Sequence, residues 1–163
     1  MPILKHGKII DDNWQNLADD DVLPETGQVI VSLTRWLADQ TELVDSQLSL
    51  GVRITGDVDV STIVSDLNYF DLVAVNFPGI ADGRGYSQAR LLRHRYGFLG
   101  ELRATGPLVR DVFVALERVG FDAIEARDNA EAEAWSEAVA RITVRLQPDA
   151  NSALIASFQS AAE

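Results

Sequence analysis

Five short apolar runs, each followed closely by an amphipathic stretch, constrain the fold of this chain more than any other feature. The runs are residues 29–33, 51–55, 72–77, 101–105 and 121–126. They are rich in Val, Ile and Leu and too short for helices, so they read as strands buried on at least one face. Helix signals sit in the gaps. Thr34 can cap a helix through Trp36, and Asp59 to Ser61 lead into Ile63, Val64, Leu67 and Phe70. Gly106-Pro107 opens a segment that Gly120 closes, and an acidic helix runs from Asn129 to about Arg145. This alternation predicts an α/β fold, a single domain of about five βα units with a mainly parallel sheet. The sheet is either open and doubly wound or curved as a partial βα-barrel. The α/β domain is expected over 28–146. Residues 1–27 read as an N-terminal appendage, with a tight turn at Gly7 between two extended pieces, and 147–163 as a C-terminal tail.

Composition removes several functions. The chain has no cysteine, which excludes disulfides, thiol chemistry and cysteine-ligated metals. Its two histidines, His6 and His94, lie far apart, so neither a metal site nor a cofactor is expected. A net charge of −11 argues against nucleic acid and anionic membranes as partners. No apolar run approaches the roughly 20 residues that cross a bilayer, and residues 1–5 lack a signal-peptide layout. A cytoplasmic protein is the expectation.

Charge is unevenly spread. Seven of the 14 basic residues fall between Arg84 and Arg118, against Glu101, Asp111 and Glu117. This basic island begins in Asp82-Gly83-Arg84-Gly85-Tyr86-Ser87-Gln88-Ala89-Arg90-Leu91-Leu92-Arg93, a glycine-hinged loop running into a helix. Such a loop suits an anion, because glycines admit close backbone approach and a helix N-terminus carries partial positive charge. Arg84 is the leading ligand candidate, the alternative being an internal salt bridge to Asp82 or Asp111, with Arg90 and Arg93 beside it and Ser87 as the expected N-cap. Gly83, Gly85 and Ala89 imitate a dinucleotide fingerprint, but the turn is too long for one. Ligands of parallel α/β folds sit beyond the carboxyl ends of the strands. Asn76, Asp82, Arg84, Tyr86 and Ser87 should therefore meet Thr105, Gly106 and Arg110, with Asp111 adjacent, and Glu125 and Arg127 from the next strand. Arg103, in mid-strand, needs a carboxylate partner.

The stretch 82–93, together with Arg95-Tyr96-Gly97-Phe98, Gly100-Glu101-Leu102-Arg103-Ala104, Arg110-Asp111 and Gly120-Phe121-Asp122-Ala123, closely resembles bacterial domain-of-unknown-function family 934. The resemblance covers roughly residues 2–145. That family is labelled an oxidoreductase of sulfite reduction through its association with assimilatory sulfite reductase, so the resemblance implies a role near that reaction. Two functions follow as expectations. One is a non-catalytic accessory that docks to the reductase or its electron donor through the basic loop-helix edge. The other is an oxidoreductase or substrate-handling enzyme that binds sulfite or another oxyanion at Arg84, Arg90 and Arg110.

Overall fold

The computed structural model describes residues 2–79 and 82–140. The expected tail at 147–163, and the end of the acidic helix near Arg145, lie outside the described residues. Eight strands build one sheet: β1 (Ile3–Lys5), β2 (Lys8–Ile10), β3 (Trp14–Asn16), β4 (Gln28–Ser32), β5 (Ser49–Thr55), β6 (Leu72–Asn76), β7 (Glu101–Thr105) and β8 (Ala123–Glu125). Their order across the sheet is β2-β1-β8-β7-β6-β5-β4-β3. Strands β3 to β8 run parallel, whereas β1 is antiparallel to both neighbours.

The expected α/β class and mainly parallel sheet hold, while the finer expectations need correcting. About five βα units understates the sheet, which has eight strands and is partly antiparallel. The three additional strands all lie within residues 1–27. The first two form a two-residue hairpin in which His6 and Gly7 both adopt positive φ, 49° and 75°. That is the turn geometry whose twist matches paired strands. The doubly wound alternative is also overturned. From β4 to β8 the parallel strands follow chain order, so right-handed crossovers place every connection on one face. A singly wound sheet of this kind curls, and here it forms a half-barrel.

Chain length enforces the curl. Strand β2 lies at one edge and β3 at the other, yet only residues 11–13 separate them. Four Cα steps span at most about 14 Å. A flat sheet of eight strands would hold those edges roughly 34 Å apart. The connection must therefore bridge the open side of a strongly curved sheet.

Helices cover the convex face: α1 (Leu33–Asp45), a 3-10 helix (Val60–Tyr69), α2 (Arg84–Arg90) extended by a π-helical turn (Leu91–Arg95), α3 (Phe113–Val119) and α4 (Asn129–Ala140). Ser32 rather than Thr34 caps α1, its hydroxyl accepting from the Arg35 amide at 3.0 Å. Helix α3 begins at Phe113 after a 3-10 turn at Arg110–Val112, later than the Gly106-Pro107 signal suggested. Gly120 ends it with φ 113°, as a C-terminal glycine should. Alternate strand residues such as Val31, Val52, Val73, Val75 and Leu102 point into this helix-covered core and are fully buried. The residues between them face the concave side. There Trp14 packs on Ile30, Leu72 and Ala74, and it lies over Gly51. Further toward the carboxyl ends of the strands that side becomes polar.

Candidate functional site

The loop-helix at 82–95 is held by its own charges. The Asp82 carboxylate accepts from the Arg84 amide at 3.1 Å, which opens α2 at Arg84 and places Ser87 inside the helix rather than at its cap. The Arg84 guanidinium turns back onto the same carboxylate, donating from Nε to Oδ1 at 2.9 Å and from Nη2 to Oδ2 at 2.6 Å. Those hydrogen bonds hold the Asp82 pKa down at about 2 and raise that of Arg84. The pair therefore stays ionised at any ordinary pH. Asp57, on the turn after β5, adds a second carboxylate. Its pKa is lowered first by the Thr55 hydroxyl and its own backbone, and also by the Arg84 charge. An oxyanion arriving at Arg84 would have to compete with Asp82 and be repelled by Asp57.

The two motif glycines differ. A Cβ at Gly85 would sit 2.5 Å from the Phe77 ring, whereas one at Gly83 would meet nothing within 4 Å. Gly85 is thus a packing residue that lets α2 lie against Phe77, where Tyr86 also stacks edge-on at 5.5 Å. Gln88 completes the seat, its amide donating to the carbonyls of Thr55 and Val58 at 2.8 Å each. We expect Gly85→Ala to cost about 1–3 kcal/mol through overpacking. Gly83 has φ −81°, so Gly83→Ala should stay within about 0.5 kcal/mol. Urea denaturation of the two variants checks this, and equal values would mean the Phe77 ring yields.

The remaining candidates do not converge on this loop. Arg93 is buried at the amino ends of β7 and β8. It forms an ion pair with Asp122 and donates to the carbonyls of Phe98, Gly100 and Gly120. Burial lowers its pKa and Asp122 opposes that shift. Arg103 lies on the concave face, 3% exposed, with Asp12 at 2.9 Å and Glu101 at 2.8 Å. Burial disfavours the Glu101 carboxylate, but hydrogen bonds from Lys5 and the Arg103 charge outweigh it and lower the pKa. Asp111 lines a separate shallow cavity with Arg127, Glu131 and Trp135. The Arg110 side chain lies outside the described residues. Arg90 is exposed.

What the strand ends do bring together is a cavity of about 170 Å³ on the concave face, lined by Asn76, Thr105, Gly106 and Glu125 with Arg53 and Arg103. A second cavity of about 410 Å³ adjoins it, sharing Arg53 and Asn76. Four of these were expected at the carboxyl edge. Arg53 was missed, although a signal existed. It occupies the middle of β5 as Arg103 does in β7, and pairing through Ala74 sets the two arginines on one face. Among the described residues, no group of three His, Asp or Glu side chains could hold a metal ion. No described helix is long and apolar enough to cross a membrane.

The fold and its strand-end cavity define a singly wound α/β half-barrel whose concave face is polar at the carboxyl ends of its strands. The family described as bacterial protein of unknown function (DUF934) matches residues 51–155, and the chain belongs to it. No curated protein and no solved structure matches the chain.

Proposed function

We propose that the protein is a non-catalytic accessory of assimilatory sulfite reduction, acting in the cytoplasm by docking to the reductase or its electron donor. The link to sulfite reduction rests on the family resemblance. The docking mode rests on one observation: the exposed side of α2 and its π-helical extension carries Arg90, His94 and Arg95 with no acidic residue among them. Leu99, 72% exposed, stands just beyond this stripe. Cations around an apolar anchor suit an acidic partner surface, where complementary charge speeds encounter and a buried side chain slows release. The oxyanion-binding enzyme has weaker support, because Arg84 is bound to Asp82 while Arg93 and Arg103 are buried in ion pairs of their own.

Surface plasmon resonance against purified sulfite reductase and its electron donor tests the reading. We expect binding that weakens as salt rises, and at least a tenfold loss in an Arg90→Glu/Arg95→Glu variant that melts like wild type. No binding to either protein at low salt, or equal binding by the variant, would overturn it.

A further inference from the structure

We propose that the concave cavity binds a small zwitterion of the α-amino-acid class, its carboxylate on Arg53 and its ammonium on Glu125. The argument starts from the charges on that face. Arg103 and Lys5 are matched by Asp12 and Glu101, two cations against two anions within ion-pair distance. Arg53 and Glu125 are left over. Arg53 donates to Asn16 Oδ1 at 3.2 Å, and among the described residues neither it nor Glu125 has an ion-pair partner. Both line the same cavity.

Placement keeps the two charges from pairing directly. Arg53 is on β5 and Glu125 on β8, three strands away. In a flat sheet that separation is about 14 Å, and the curl shortens it. Between them stand Asn76 and Thr105, neutral groups whose side chains lie 3.4 Å apart. The cavity therefore offers a cation on one wall, an anion on the other and hydrogen-bonding groups between. A guanidinium grips a carboxylate through two parallel N–H donors, and a half-enclosed site strengthens both ionic contacts relative to water. A simple anion would be repelled by Glu125. A simple cation would be repelled by Arg53. Only a molecule with both charges satisfies both walls, and the small volume favours one of few atoms. The docking stripe on α2 takes no part, so this inference stands or falls separately from the proposed function.

Calorimetric titration of the full chain with glycine, L-serine and L-aspartate, their N-acetyl and carboxamide derivatives, and sodium sulfate tests it. We expect at least one free amino acid to bind, and either derivative to bind at least tenfold more weakly. The N-acetyl penalty should vanish in Glu125→Gln and the carboxamide penalty in Arg53→Gln. The derivative comparison on the wild-type protein is decisive even if a variant fails to fold. The inference is overturned if no amino acid binds, if both derivatives bind as well as the parent, or if sulfate binds as tightly as the amino acids.

Discussion

Asp122→Ala is expected to destabilise the protein by about 3–5 kcal/mol, the range found when one partner of a buried ion pair is removed. The Asp122 carboxylate serves two donors. It is the anionic partner of Arg93, whose side chain is only 4% exposed, and it accepts from the Leu102 amide at 2.8 Å. Alanine would leave the guanidinium with carbonyl oxygens alone and orphan a backbone donor at the start of β7. Asp122 also donates its own amide to the Leu102 carbonyl at 2.9 Å, so the loss falls where β7 and β8 are tied together. Domains are stable by about 5–15 kcal/mol in total, so the variant should unfold at much lower urea. The double variant Arg93→Met/Asp122→Ala should recover part of the loss, because it no longer buries an unmatched charge. A cost below about 1 kcal/mol for Asp122→Ala would show that water reaches Arg93.

Arg93 also shows where local reading stops. Its place in the basic island of 84–118 suggested a ligand group, and nothing in the residues around it announces Asp122, 29 positions later. The same holds for Arg84. Asp82 stands two residues before it, but whether they grip each other or share a ligand depends on rotamers and on the loop that carries Asp57. Local chemistry did place β4 to β8, because β-branched runs closed by glycine or cap residues need no distant information. It also placed Asn76, Thr105, Gly106 and Glu125 at one edge through the strand-end rule.

The two pieces around Gly7 were legible as extended, but three residues carry too little periodicity to show which strands β1, β2 and β3 pair with. Strands β1, β2 and β3 close the two edges of the sheet only because 11–13 is short and Asp12 reaches Arg103, 91 residues away. Curvature belongs to the same class of property. It follows from strand order, which is a set of long-range pairings, and that order brings Arg53 and Glu125 into one cavity. The glycines of the loop-helix illustrate a different limit. A glycine beside an arginine reads as room for a ligand, yet Gly85 makes room for the Phe77 ring.

Gly106 combines a left-handed backbone with a close approach to another strand, and Gly106→Ala should cost about 3 kcal/mol or more. Two separate effects add. The residue has φ 108°, a backbone conformation that side-chain-bearing residues adopt only under strain. A Cβ there would also lie 2.2 Å from the Phe77 carbonyl oxygen, far inside van der Waals contact. That oxygen cannot swing aside as a side chain would, because the Phe77 amide already donates to the Thr105 carbonyl at 2.9 Å and fixes the two strand ends together. Relief requires β6 and β7 to part at their carboxyl ends, where Asn76 and Thr105 line the concave cavity. In a domain of this size about 3 kcal/mol lowers the melting temperature by roughly 6–12 °C. Gly79→Ala is the control, since a Cβ at Gly79 meets nothing within 4 Å and φ there is not in the left-handed range. Thermal melts of the two variants separate a general intolerance of this region from the specific contact. If the alanine variant at 106 melted with wild type, the close approach of the β7 loop to Phe77 would be wrong, and with it the shape of the cavity that Gly106 closes.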